Sequence, residues 1–308
     1  MKRRKFNKIL FSSSAVLASP SLVSCSRNDS KNGISLAQWS LNKMIKDEKK
    51  LDPLDFAKKA NELGFDAIEY VSTLYRPTLN EISIDELTEI LKSSSNQYEI
   101  KNLLIMVDDE GDLASSDESL INKAVDKHKK WVKMANKLGC HSIRVNLTGE
   151  NELEKWKINS VKGLTLLCNY AENFNINIIV ENHGGNSSIA NELANVIKNV
   201  NLANCGTLPD FGNFCVKREN GSIYSGPCKI EYDKYKGMRE LMPYAKAVSA
   251  KSYDFDQNGN ETTINYEDMM SIVKKFNYYG YLGIEFEGNK LSEVEGIELT
   301  KKLIEKYS

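Results

Sequence analysis

Histidine is scarce in this chain: three in 308 residues, His128, His141 and His183. A metal cluster built from many imidazoles is therefore excluded. The six cysteines include no C-x-x-C pair, which excludes a zinc knuckle, and at this length a disulfide framework is unnecessary. Cys215 and Cys228 lie in one glycine-bearing loop, where an oxidising compartment would let them pair. Neither sign of charge dominates, with 41 Lys and Arg against 42 Asp and Glu. That balance argues against a nucleic-acid partner and for a small-molecule one. No apolar run has the length of a transmembrane helix. G-x-G-x-x-G is missing after the first predicted strand, so a dinucleotide fold is not indicated.

Residues 1–25 read as an export signal. Arg3-Arg4-Lys5-Phe6 precedes an apolar, small-residue run from Ile9 to Ala18 that is too short to span a bilayer stably. The paired arginines with Phe6 and Lys8 resemble a twin-arginine leader, and Leu22-Val23-Ser24-Cys25 resembles a lipobox with Cys25 as the lipidated residue. Polar residues 26–32 read as a tether. The expectation is an exported, periplasm-facing lipoprotein that meets the membrane through its lipid only.

From residue 33 to 308 short apolar runs alternate with stretches of helical periodicity, the pattern of repeated βα units. The predicted strands are Ile34–Trp39, Ala67–Val71, Ile100–Val107, Ser142–Leu147, Ile176–Glu181, Gly206–Pro209, Ala245–Ala250 and Tyr281–Phe286. Helices between them start at signals such as Asp52-Pro53 and stop at glycines such as Gly64 and Gly139. Eight such units predict an α/β fold, a single (β/α)8 TIM barrel. The stretch from Phe211 to Glu231 is longer than a βα connection needs and is expected to be a lid or binding element.

Ionisable residues gather at the predicted strand ends. Asn177–Gly185 runs from an apolar strand into Glu181-Asn182-His183, and strand alternation puts Glu181 and His183 on one side and Asn182 on the other. Asp210 follows the sixth strand and Glu285 lies near the end of the eighth. Barrel closure would bring all three acids onto one rim, where mutual repulsion calls for protons or a cation. Arg144 on the fourth strand and Lys251 on the seventh are candidates for binding a hydroxyl-rich or carboxylate substrate, or for structural ion pairs. Trp39 is expected to pack in the core or to stack on a sugar. Glu69 is either a rim hydrogen-bond partner or a structural acid. Asp108-Asp109-Glu110 reads as a solvated loop after the third strand or as the source of an acid that reaches the substrate, and His128 and His141 as structural or surface residues.

LAQWSL, GFDAIEYV, RVNLTG, ENHGG, LPDFGNF, VSAKSYDF and GIEFEG, in this order, resemble the xylose isomerase-like TIM barrels, the sugar phosphate isomerase/epimerase superfamily. The resemblance implies one divalent metal (Mn²⁺, Mg²⁺ or Zn²⁺) held by Glu181, Asp210 and Glu285. It also implies that Glu181 and Glu285 exchange protons with the substrate. Two positions depart from the pattern: the seventh-strand His-x-Lys is Ser249-Ala250-Lys251, and the histidine expected three residues after Asp210 is Asn213. Three alternatives follow: His183 completes the metal shell, the metal binds weakly, or the site works without one. The function implied is a sugar isomerase or epimerase acting on an unphosphorylated sugar or keto-sugar through an enediolate. Asn213, His183, Arg144, Lys251 and Trp39 are its candidate substrate contacts. The alternatives are a lyase acting on 3-keto-glycosides and a non-catalytic carbohydrate-binding lipoprotein. A homo-oligomer is compatible with all three.

Overall fold

The computed structural model describes residues 32–308. The expectations for the export signal, Cys25 and nearly all of the tether lie outside the described residues. Asn32, assigned above to the tether, belongs to the barrel instead, because its side-chain amide donates to the carbonyls of Tyr278 and Gly280.

Eight strands form one all-parallel sheet: β1 (Gly33–Ala37), β2 (Ala67–Val71), β3 (Lys101–Met106), β4 (Ser142–Val145), β5 (Asn177–Glu181), β6 (Cys205–Leu208), β9 (Val248–Ser252) and β10 (Tyr281–Phe286). Their order is β6-β5-β4-β3-β2-β1-β10-β9. Parallel bridges Thr207↔Ala245 and Asp210↔Ser249 join β6 to β9 and close the barrel. Most residues of these strands are buried, as expected when helices cover one face and the barrel interior the other.

The α-helices among the described residues are α1 (Phe56–Glu62), α2 (Arg76–Leu79), α3 (Ile84–Gln97), α4 (Glu118–Leu138), α5 (Leu153–Glu172), α6 (Ala190–Val200), α7 (Lys234–Leu241), α8 (Tyr266–Lys275) and α9 (Glu293–Tyr307), and the longer ones pack outside the strands. Their ends follow the sequence chemistry. Asp117 caps α4 through the Ser119 amide, and Gly139 ends it at φ 78°, a left-handed conformation that glycine adopts without strain. Ser292 and Glu295 form a reciprocal capping box at the start of α9.

Two expectations shift. The first strand stops at Ala37, and Gln38–Leu41 forms a 3₁₀ turn because the Gln38 side chain bonds sideways to the Val71 amide and the Tyr75 hydroxyl. The seventh barrel strand runs later than expected, over Val248–Ser252, which places both Ser249 and Lys251 within it. The long loop after β6 holds an antiparallel hairpin, β7 (Cys215–Arg218) and β8 (Cys228–Glu231), joined by a Cys215–Cys228 disulfide.

Candidate active site

The C-terminal strand ends surround a cleft of about 900 Å³. Beneath it, ligand oxygens of Glu181, Asp210 and Glu285 lie within 4.8 Å of one another, the only such group found among the described residues; of the three, Glu285 lines the cleft, while Glu181 and Asp210 are buried behind it. Asn182 accounts for part of this convergence. It points away from the cleft and clamps β5 to the end of β6, its Oδ1 accepting from the Asp210 amide (2.8 Å) and its Nδ2 donating to the Asp210 carbonyl (3.0 Å). The Asp210 carboxylate in turn accepts from the amides of Gly212 (2.8 Å) and Asn213 (2.7 Å), which fixes its orientation.

Each acid has its own partners. Asn213 donates to Glu181 Oε1 at 2.9 Å and itself lines the cleft, so it stands between Glu181 and the open volume. Glu181 Oε2 lies 2.9 Å from Arg144 Nε, yet neither atom has an aligned hydrogen-bond partner. Ser249 donates to Asp210 Oδ2 (2.6 Å) and lies 3.3 Å from Glu285 Oε2, while Lys251 Nζ donates to Glu285 Oε1 at 2.8 Å. Burial pushes the Glu285 carboxyl up to about 8 and that of Asp210 up to about 6, with Lys251 opposing both shifts. Burial also works against the Lys251 ammonium, but Glu285, Glu287 and Asp210 outweigh it and hold its pKa well above the ordinary range.

The remaining candidates fall differently. Arg144 lines the cleft and bonds Asp108, while Lys251 is buried beneath the cleft among acids. Trp39 is not a fully buried core residue: it packs against the core but is half-buried on the cleft wall, and its indole donates to Glu287. Asp108 is not solvated either, because Arg144 and Asn146 both donate to it and draw it into the wall of the site. Asp109 remains exposed and pairs with Arg76.

His183 stands outside the acid cluster. Asn146 Nδ2 donates to Asp108, so its Oδ1 faces His183 Nδ1 at 3.0 Å and that nitrogen carries the proton. Burial lowers the imidazole pKa, which favours this neutral form. The ring packs 4.8 Å from Tyr224 of the β7–β8 hairpin.

His128 is buried on α4 and bonded to the Ala124 carbonyl. His141 and Glu69 line a separate cavity near the N-terminal strand ends, and Glu69 accepts from Ser35 at 2.7 Å inside the barrel. Glu287, Asn146, Tyr224 and Tyr253 line the cleft but were not singled out from the sequence. For Glu287 a signal existed, because it follows Glu285 by two residues, the spacing that keeps side chains on one face.

Residues 57–306 match the family described as xylose isomerase-like TIM barrel. The chain belongs to that family. Solved structures share the fold at low identity. D-allulose 3-epimerase from Methylomonas sp. in complex with D-allulose superposes with a TM-score of 0.68 at 14% identity, covering 91% of this chain and 98% of that one. The IOLI protein with a zinc atom gives 0.67 at 18%, covering 90% and 99%. L-ribulose 3-epimerase gives 0.66 at 14%, covering 90% and 94%. The C-glycoside deglycosidase alpha subunit of Arthrobacter globiformis is 42% identical over 69 residues, 20% of this chain and 19% of that protein.

The donor set fits the divalent cation that the family implies. Three carboxylates converge, and Glu181 Oε2 is a buried acceptor without a hydrogen-bond partner.

Proposed function

We propose that this chain is a sugar isomerase or epimerase that moves a proton next to the carbonyl of an unphosphorylated sugar or keto-sugar. The observation that carries this reading is the convergence of Glu181, Asp210 and Glu285 at the C-terminal end of a xylose isomerase-like barrel. Glu181, Asp210 and Glu285 would hold a divalent cation, which when bound supplies Lewis-acid polarisation of the substrate carbonyl.

The protein's own groups do the rest. One of Glu181 and Glu285 removes the carbon-bound proton, and the other returns a proton to the same carbon (epimerisation) or to its neighbour (isomerisation). Arg144, paired with Glu181 and Asp108, places positive charge beside the developing enediolate. Asn213 holds Glu181 until a substrate hydroxyl replaces its amide. His183 Nε2 carries no proton and is the acceptor offered to a sugar hydroxyl.

A second reading is favoured by the size of the cleft. About 900 Å³ is the range that encloses drug-sized ligands, and Trp39, Tyr224 and Tyr253 line it. A 3-keto-glycoside would fit, and its enolate would expel the β substituent as a lyase does. The partial match to a C-glycoside deglycosidase subunit supports this reading. NMR of keto-sugars and 3-keto-glycosides incubated with the protein in D₂O separates the two. Deuterium at the carbon beside the carbonyl, with a new isomer, supports the first; release of aglycone without an isomer supports the second. Binding with neither reaction overturns both and leaves a carbohydrate-binding lipoprotein.

We also propose export and lipidation at Cys25. The reading rests on the twin-arginine-like Arg3-Arg4-Lys5-Phe6 and the lipobox-like Leu22-Val23-Ser24-Cys25. Mass spectrometry of the N-terminal peptide from membrane fractions tests it, and an unmodified, uncleaved N-terminus overturns it.

A further inference from the structure

The acid cluster already contains a cation supplied by the chain. Lys251 follows Ser249 by two residues on β9, so both side chains project to the same face. Its Nζ lies 2.8 Å from Glu285 Oε1, 3.4 Å from Glu287 Oε2 and 3.9 Å from Asp210 Oδ2. Ser249 donates its hydroxyl proton to the same Asp210 Oδ2 at 2.6 Å, and its oxygen lies 3.3 Å from the other Glu285 oxygen, Oε2. The second Asp210 oxygen is held by the Gly212 and Asn213 amides. Both oxygens of Asp210 and Oε1 of Glu285 thus accept from donors of the chain, Glu285 Oε2 shares the Ser249 hydroxyl at longer range, and Glu181 Oε2 has no aligned hydrogen bond.

An imidazole at position 249 would present a lone pair to a metal; a serine hydroxyl in this orientation presents a proton to the metal's ligands. A lysine ammonium 2.8 Å from Glu285 Oε1 competes for the same carboxylate, because a metal ion on that group would stand close to a second buried cation and be repelled by it. Lys251 is 1% exposed, so water screens that competition little.

We propose that Lys251 is the built-in cation of this cluster, and that a divalent metal ion enters the Glu181–Asp210–Glu285 site only by displacing the Lys251 ammonium from Glu285. The inference rests on the reading that these three acids form a cation site; it is independent of which sugar is turned over. It reassigns Lys251 from substrate contact to metal gate, and it makes the departure at Ser249 half of a pair that favours the metal-free cluster.

The test is isothermal titration of Mn²⁺ into the chelator-stripped full chain, compared with Lys251→Gln and Ser249→His. Lys251→Gln keeps a hydrogen-bond donor near Glu285 without the charge. It is expected to bind one Mn²⁺ on the order of 100-fold more tightly than the parent. Ser249→His retains the ammonium and is expected to gain less than about tenfold for Mn²⁺. Equal, stoichiometric affinity in the parent and Lys251→Gln overturns the proposal while leaving the acids as a metal site. No binding by any of the three proteins overturns both. Should Lys251→Gln fail to fold, Ser249→His decides: a 100-fold gain with Lys251 still present shows that the missing imidazole, and not the lysine, sets the affinity, and overturns the proposal.

Discussion

Arg144 Nε lies 2.9 Å from Glu181 Oε2 with both atoms buried and neither hydrogen-bonded. The contact is therefore one of charge without an aligned N–H···O bond, and the carboxylate keeps a lone pair free for a substrate hydroxyl or a cation. Because Arg144 also bonds Asp108, one guanidinium balances two acids from different strand ends. Its ionised form is favoured despite burial, since Asp108 and Glu181 raise its pKa.

Replacing Arg144 with Met is expected to leave both acids without a counter-charge. Urea denaturation should show a loss of about 3–5 kcal/mol, the range for breaking a buried pair from one side. Arg144→Lys should recover part of that stability. It should still lower kcat/KM at least tenfold, because an ammonium cannot reach both carboxylates in the guanidinium's fork geometry. Parent-like kcat/KM in Arg144→Lys would remove Arg144 from the reacting centre.

Glu181→Gln and Glu285→Gln preserve shape while removing the basic oxygen. Each is expected to reduce solvent-deuterium exchange into the substrate by roughly 10²–10⁴-fold, the usual contribution of a positioned acid or base. Circular dichroism should be unchanged. Retained exchange in either variant would take that glutamate out of the proton transfer.

Glu69 predicts a pH effect on stability that is separate from catalysis. Burial raises its carboxyl from the ordinary 4.5 to about 7, with Ser35 pulling the other way. Between those values the unfolded chain is ionised while the folded one holds a proton. The contribution is therefore full below pH 4.5 and is lost as pH rises through about 7. It amounts to about 3 kcal/mol by linkage. Glu69→Gln should flatten this slope and be the more stable protein at pH 8; identical slopes in urea midpoints measured from pH 4.5 to 8 would rule out the effect.

The Cys215–Cys228 link pins the hairpin that carries Tyr224 to the cleft wall beside His183. The Cys215→Ser/Cys228→Ser double variant should raise KM several-fold with little change in kcat. Proteolysis within residues 216–227 should quicken, because closing a loop of this size restrains the open chain by up to about 3 kcal/mol. Unchanged KM together with unchanged cleavage would mean the hairpin holds its place without the bond.

Much of the barrel is legible in the sequence. The sequence places Ala67–Val71 and Tyr281–Phe286 to the residue, because short runs with β-branched and aromatic residues between turn signals favour strand over helix. The later strand Val248–Ser252 was misplaced, since Ser249 and Lys251 are polar yet buried, and only their acidic partners make that burial tolerable. The convergence of Glu181, Asp210 and Glu285 follows from the strand-end pattern together with closure of a parallel barrel.

Which groups stand against those acids was a different matter. The sequence leaves Trp39 between core packing and stacking on a sugar and places Asp108 in a charged loop; Arg144 and Asn146 draw Asp108 inward, and a 3₁₀ turn carries Trp39 to the cleft. The linear chain determined the periodicity, the helix caps and the sign of each strand end, because these depend on neighbours a few residues away. Tertiary structure alone decided the charge pairing, since Lys251 meets Glu285 only across adjacent barrel strands and Arg144 meets Asp108 across 36 positions of sequence. At such separations electrostatics depends on distance and burial, which residue order does not encode.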